Sequence, residues 1–149
     1  MSKRIGFLAG LVLALSVSAF AGPYDTWTNY RDVSINTTSG GANVAGSVAN
    51  FPVLVRLTSA DSAHGSNVLS AALANGADVR FSDSTGTTAL SYQIERWSAS
   101  AAEIWVLVPS VVGNSTTKFR MYWGKASAST ESNGPAVFQT SNGYYGVWH

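Results

Sequence analysis

Catalysis needs titratable groups that converge, and this 149-residue chain offers few of them. His64 is the only histidine before the C-terminal residue, and it sits in a Ser/Ala-rich stretch with Asp61 and Ser62. A nucleophilic triad assembles by tertiary contact rather than from close sequence neighbours, and no G-x-S-x-G elbow is present. Asp61, Ser62 and His64 therefore read as a surface loop. Glu95 and Glu103 flank a short turn and share the strand parity of Trp97 and Trp105, so they could face one another as a glycosidase pair does. The competing expectation is that they pair with Arg80, Arg96 or Arg120 across the same sheet. Asp83-Ser-Thr-Gly-Thr-Thr has the opening acid of a calcium loop but lacks the alternating acids such a loop uses. A hairpin turn with a left-handed Gly86 explains it equally, and calcium at Asp83 is the one cofactor the residues leave open. The absence of cysteine excludes a disulfide framework, a thiolate zinc site and a thiol nucleophile. The expectation is a chain with no catalytic residues and no enzymatic activity.

The aromatic residues carry more information. On successive strands, the side opposite the aliphatic residues holds Arg80, then Gln93, Glu95 and Trp97, then Trp105, then Arg120 and Tyr122. Rings stack on the apolar faces of pyranoses while amides, carboxylates and guanidinium groups pair with hydroxyls. If these residues share one face, it is a candidate glycan-binding platform. The alternative is a packing face that docks against a neighbouring domain. Both readings assume that no bulge shifts the strand register.

These residues must be positioned by strands, because the periodicity is mostly two. Phe51, Val53, Val55 and Leu57 alternate with Pro52, Leu54 and Arg56. The same alternation recurs in Ala77–Ser82, Leu90–Glu95, Glu103–Val108 and Lys118–Trp123. An earlier strand is expected around Val33 and Ile35, and a last one over Tyr145–Trp148. Turn-forming pieces lie between them at 38–41, 83–86, 98–101 and 113–115. Val68, Leu69, Ala72 and Leu73 have helical spacing instead, and Asn75-Gly76 is a plausible C-terminal cap. The expected fold is all-β: an antiparallel, jelly-roll-like β-sandwich with one short helix near 66–75.

At the N-terminus, Lys3 and Arg4 precede an apolar run from Ile5 to Leu15 and an Ala19-Phe20-Ala21 cleavage pattern. This reads as a secretory signal peptide over 1–21, too short to be a membrane anchor. Removing Lys3 and Arg4 from the nine basic residues leaves seven against eight acids, a net charge of −1. Charged residues make up only 11% of the chain, against the usual quarter or so. That balance argues against nucleic acid as a partner, and no stretch of the mature chain is a membrane span. An exported, cysteine-free chain fits a bacterial periplasmic or extracellular setting. The sandwich is expected over 22–140, with 141–149 as the start of a truncated following domain or a last strand.

Several segments, in order, resemble a known family. They are Trp27-Thr-Asn-Tyr-Arg, Asn50-Phe-Pro-Val-Leu-Val-Arg-Leu, Ala77-Asp-Val-Arg-Phe-Ser-Asp and Leu90-Ser-Tyr-Gln-Ile-Glu-Arg-Trp, followed by Ala102-Glu-Ile-Trp-Val-Leu-Val-Pro, Met121-Tyr-Trp-Gly and Ala136-Val-Phe. From Tyr24 to Phe138 the chain is similar to the bacterial domain of unknown function 2341. It departs from the family at Ser91, where proline is commoner, and at Lys125, where asparagine is expected. The resemblance implies an exported β-sandwich module in multidomain proteins, found beside concanavalin A-like (laminin-G-like) domains and in biopolymer-transport proton-channel proteins. Gly146-Val-Trp-His is similar to the start of such a lectin-like domain. The family brings no catalytic or binding residues. The expected function is that of a non-catalytic cell-surface accessory module, which recognises a polysaccharide or supports an adjacent lectin-like domain. The alternative is a purely structural docking or spacer module.

Overall fold

The alternation of β-branched and polar residues produces six strands among the residues described by the computed structural model, 21–146. They are β1 (Asn29–Asn36), β2 (Val48–Thr58), β3 (Arg80–Asp83), β4 (Tyr92–Trp97), β5 (Ala101–Val111) and β6 (Thr116–Trp123). One antiparallel sheet has the order β1-β6-β3 and the other β2-β5-β4. Phe81, Phe119 and Met121 of the first sheet meet Val55, Leu57, Ile104 and Val106 of the second in a single apolar core. The Phe81 and Tyr92 rings touch across it, with centroids 5.4 Å apart. The sandwich expected from the periodicity is the fold. Residues 1–20 of the anticipated signal peptide and the second half of the anticipated last strand, Val147 and Trp148, lie outside the described residues. Tyr145 and Gly146 are not in a strand.

Central strand β5 shows how the pattern works. Ala102, Ile104, Val106 and Val108 point into the core, paired with Leu57, Val55, Val53 and Phe51 of β2. Phe51 departs from the expected core pattern and is 45% exposed, because the sandwich is open at its end of β2.

On the other side of β5 the register breaks. Ile94 pairs with Ile104, yet Arg96 pairs with Glu103, so Glu95 has no residue opposite it on β5. This β-bulge reverses the facing of everything after it. Trp97 therefore pairs with fully buried Ala102 and packs against the core, not beside Trp105 as simple parity requires.

Trp97 lies over Gly76, whose φ of +66° suits glycine. A Cβ at Gly76 would come within 2.6 Å of the Trp97 ring. Gly76→Ala is expected to cost about 2–3 kcal/mol, through left-handed strain plus overpacking, measured by urea denaturation. An unchanged midpoint would refute this placement of Trp97.

The expected helix is shorter than its spacing suggests. Helix α1 spans Gly65–Ala71 and buries Val68 and Leu69. The chain then extends and makes a separate 3-10 turn at Ala74–Gly76. The cause is Asp78: its Oδ1 accepts the Leu73 amide at 2.7 Å, satisfying that donor outside the helix. A second short helix, α2 (Gly134–Val137), begins with Asn133 accepting from the Ala136 amide. It places the following residues over the outer face of β4 and β5.

Candidate functional site

The structure does not bring the seven platform residues together. Arg80, Arg120 and Tyr122 lie on the outer face of the β1-β6-β3 sheet, whereas Gln93, Glu95 and Trp105 belong to the β2-β5-β4 sheet. Trp97 belongs to neither outer face. Strand parity tells which side of its own sheet a side chain takes, but not which of the two sheets the strand joins. The single face expected from the sequence is therefore split across both sides of the sandwich.

On the β2-β5-β4 side, the chain's own C-terminal stretch takes up the aromatic surface. Trp105 donates its Nε1–H to Glu95 Oε2 at 2.5 Å, and its ring meets Phe138 edge-on at 5.6 Å. Phe138 in turn contacts Tyr144 at 5.5 Å, and Asn50 reaches Asn142. Gln93 lies against Gly134, where a Cβ would approach its Oε1 to 2.6 Å. Glu103 is held by Arg96 at 3.2 Å and Arg56 at 3.6 Å, one of the arginine pairings expected for it.

On the β1-β6-β3 side, Arg80 is only 2% exposed. It donates to the carbonyls of Ala77, Val79 and Ser129 and to the Tyr92 hydroxyl, and its Nε lies 3.1 Å from Glu131. Tyr122 is buried under Tyr24 and shares a 3.0 Å hydrogen bond with Ser82. Arg120 bonds Asp32 at 3.0 Å and lies 4.4 Å over the Tyr30 ring. Asp78 is fully buried: Oδ2 accepts the amides of Gly124 and Lys125, and its carbonyl accepts the Trp27 indole N–H at 2.6 Å. The carboxylate thus ties the loop after β6 to the turn before β3, and the Asp78 backbone carbonyl anchors the N-terminal segment to the same point. Sequence reading missed its role, because a lone acid in an alternating run gives no sign of burial.

The remaining acids also serve the architecture. Asp61 accepts the amides of Ala63 and His64 and contacts the exposed His64 ring at 3.0 Å, closing the turn before α1. Asp83 accepts from the Thr87 and Thr88 amides and the Thr87 hydroxyl. Partial burial opposes its charge, but the Thr88 and Thr87 amides, helped by threonine hydroxyls, prevail and lower its pKa to about 2. A cation at Asp83 would have to displace these donors, and no cluster of three metal-ligating side chains occurs among the described residues.

Burial chiefly, with Glu131 second, pushes the Tyr24 phenol up to about 12, and burial also raises Tyr92. The folded state thus holds these protons more tightly than the unfolded chain. The resulting stability is complete below about pH 10 and is lost as pH rises towards 12. The melting temperature is expected to fall over that interval, and less steeply in Tyr24→Phe. Identical slopes would refute this.

A different concavity has the composition sought from the platform. A cleft of about 590 Å³ runs between the start of β1 and α1, lined by Thr28, Asn29, Tyr30, Arg31, Asn67 and Ser70, with Ala71 and Trp123. Thr28 is fixed by the Gly124 carbonyl and Arg31 by the Ala63 carbonyl. Asn67 and Ser70, three residues apart, share one face of α1. Tyr30 is 60% exposed. Most of these residues come from the Trp27–Arg31 motif and from the segment of helical spacing. Both were visible in the sequence, but their adjacency was not.

No curated protein and no solved structure matches the chain. A family model matches residues 75–146, the part from the Asn75-Gly76 turn through β3, β4, β5, β6 and α2. The motifs from Ala77 to Phe138 fall inside this match, whereas Trp27–Arg31, Asn50–Leu57 and the cleft lining other than Trp123 fall outside it. The family whose model residues 75–146 match is described as Domain of unknown function (DUF2341), and over that stretch the chain is similar to it.

Proposed function

We propose that this is a non-catalytic, exported accessory module that recognises a glycan through the β1–α1 cleft. The supporting observation is the lining of that cleft: two amides, two hydroxyls, a guanidinium and an exposed ring, without a carboxylate. Such a set pairs with sugar hydroxyls and stacks on a pyranose face but supplies no general acid or base. All eight acids are engaged elsewhere. The one not described above is Asp25, which accepts the Gly22 amide. The export signal read over 1–21 supports placement in the bacterial envelope or outside the cell.

The test is retention of the chain lacking residues 1–21 on insoluble polysaccharides and a glycan array. Tyr30→Ala, and Asn67→Ala with Ser70→Ala, should each weaken retention about ten-fold, while Trp105→Ala leaves it unchanged and no glycan is hydrolysed. Absence of retention on every glycan, or retention indifferent to the cleft substitutions, refutes the reading.

The covering of Trp105 by residues 134–146 favours a second reading, a structural module that supports a neighbouring domain. Its mark would be unaltered folding with no glycan retention.

A further inference from the structure

The first residues after the export signal are built into the sandwich. Tyr24 is buried against Tyr122 and Trp27, at ring distances of 5.3 and 5.1 Å. The Trp27 amide bonds the Tyr24 carbonyl, its indole bonds the Asp78 carbonyl, and the Thr28 hydroxyl bonds the Gly124 carbonyl. At the head of this segment the Gly22 nitrogen donates to Asp25 Oδ2 at 2.7 Å. The Asp25 carboxylate has no other partner among the described residues.

Position 22 is also sterically defined, because a Cβ there would collide with the Gly86 carbonyl oxygen. Gly86 is itself buried in the tight turn after β3, where its amide bonds the Asp83 carbonyl. Asp83 accepts the Thr87 and Thr88 amides, and Arg120 donates to the Ser84 carbonyl, so the turn that receives Gly22 is braced. Ala21, by contrast, is exposed. The boundary between an exposed residue and a sterically required glycine thus falls at the bond that ends the Ala19-Phe20-Ala21 cleavage pattern.

We infer that cleavage at this bond creates a structural group: the α-ammonium of Gly22, which forms an ion pair with Asp25 and locks residues 22–28 onto the β1-β6-β3 sheet. Hydrolysis of the Ala21–Gly22 bond by a signal peptidase consumes one water. It leaves a carboxylate on Ala21 and an amine on Gly22 that is protonated below about pH 8. The nitrogen that donates as a neutral amide then donates as a cation, and such a charge-assisted bond is roughly twice as strong. Of the titratable groups around the Gly86 turn, Asp83 faces its own loop, Arg120 faces Asp32 and Tyr122 faces Ser82, so Asp25 is the counter-ion. A precursor still carrying residues 1–21 has only the neutral amide. Thr28 and Asn29, which line the β1–α1 cleft, follow directly, so processing also steadies one wall of that cleft. The inference rests on the export reading and is independent of glycan recognition.

Three forms of the chain lacking residues 1–21 test this: one with a free Gly22 amine, one with that amine acetylated, and one with Asp25→Asn. The free amine is expected to titrate by NMR at about 8.5 or above, against an ordinary value of about 8, and to return to the ordinary value in Asp25→Asn. Because the folded value is raised, the added stability is complete below about pH 8 and is lost as pH climbs through the folded value. Asp25 is exposed, which keeps the effect modest. At pH 7, acetylation should lower the melting temperature by about 2–4 °C, and should change nothing in Asp25→Asn. Gly22→Ala, which keeps the amine but not the fit, should lower it at least as much. An amine that titrates at its ordinary value, or melting indifferent to acetylation, overturns the ion pair while leaving the export reading intact. Mass spectrometry of the full chain secreted from a bacterial host checks that reading separately. A leader that stays attached refutes export and the proposal with it, whereas trimming at another bond overturns the proposal alone.

Discussion

Asp78→Ala is expected to destabilise the domain by about 3–5 kcal/mol, the range for removing a buried charge that others depend on. The carboxylate is fully buried and accepts three backbone amides, those of Leu73, Gly124 and Lys125. Truncation leaves those donors without an acceptor inside the protein, and an unsatisfied buried donor costs more than the net worth of the bond it made. A domain of this size has a total stability of about 5–15 kcal/mol. The loss should therefore appear as a fall in melting temperature of about 10 °C or more. Asp78→Asn should recover only part of it, because one Asn atom facing these amides becomes a donor. Thr28 and the Trp27 indole are anchored in the same region, so glycan retention through the cleft should fall with stability. An Asp78→Ala protein that melts like the parent would show that the loops are held by something else.

Arg80→Ala is the second large effect, again about 3–5 kcal/mol. Its guanidinium makes four hydrogen bonds and an ion pair with Glu131 while only 2% exposed. Removing it orphans the Ser129 and Val79 carbonyls, strips Tyr92 of a partner and opens a cavity under Trp27, whose ring lies 5.4 Å from the guanidinium carbon. Arg80→Lys should rescue little, since an ammonium cannot reproduce the planar fork. Glu131→Gln should cost only about 1 kcal/mol, because the Glu131 side chain is 58% exposed and solvent screens its charge. Urea denaturation of the three variants checks that ranking. A Glu131→Gln loss equal to that of Arg80→Ala would show that the ion pair dominates rather than the neutral hydrogen bonds.

Much of this fold was legible in the residues. The aliphatic positions of β5 and β6, Ile104, Val106, Val108, Phe119 and Met121, are core positions as their alternation indicates. The turns at Asp83 and Asn114 also lie where their residue types place them. The candidate site was not legible. Trp97 and Trp105 share a parity in the sequence but not a face, because the bulge between Ile94 and Arg96 turns the strand over. Composition favours no particular residue for such a bulge.

What the sequence alone determined is local: strand content, the side each residue takes within its own sheet, and the turns. These follow from backbone geometry that repeats every two residues and needs no distant partner. The tertiary structure alone decided which sheet each strand joined and that residues 134–146 would cover Trp105. It also buried Asp78 and Arg80, and set α1 beside β1 to make the cleft. Those outcomes depend on contacts between residues far apart in the chain. They are chosen by the packing of the whole domain and by the need to satisfy every buried polar group, which no local pattern records.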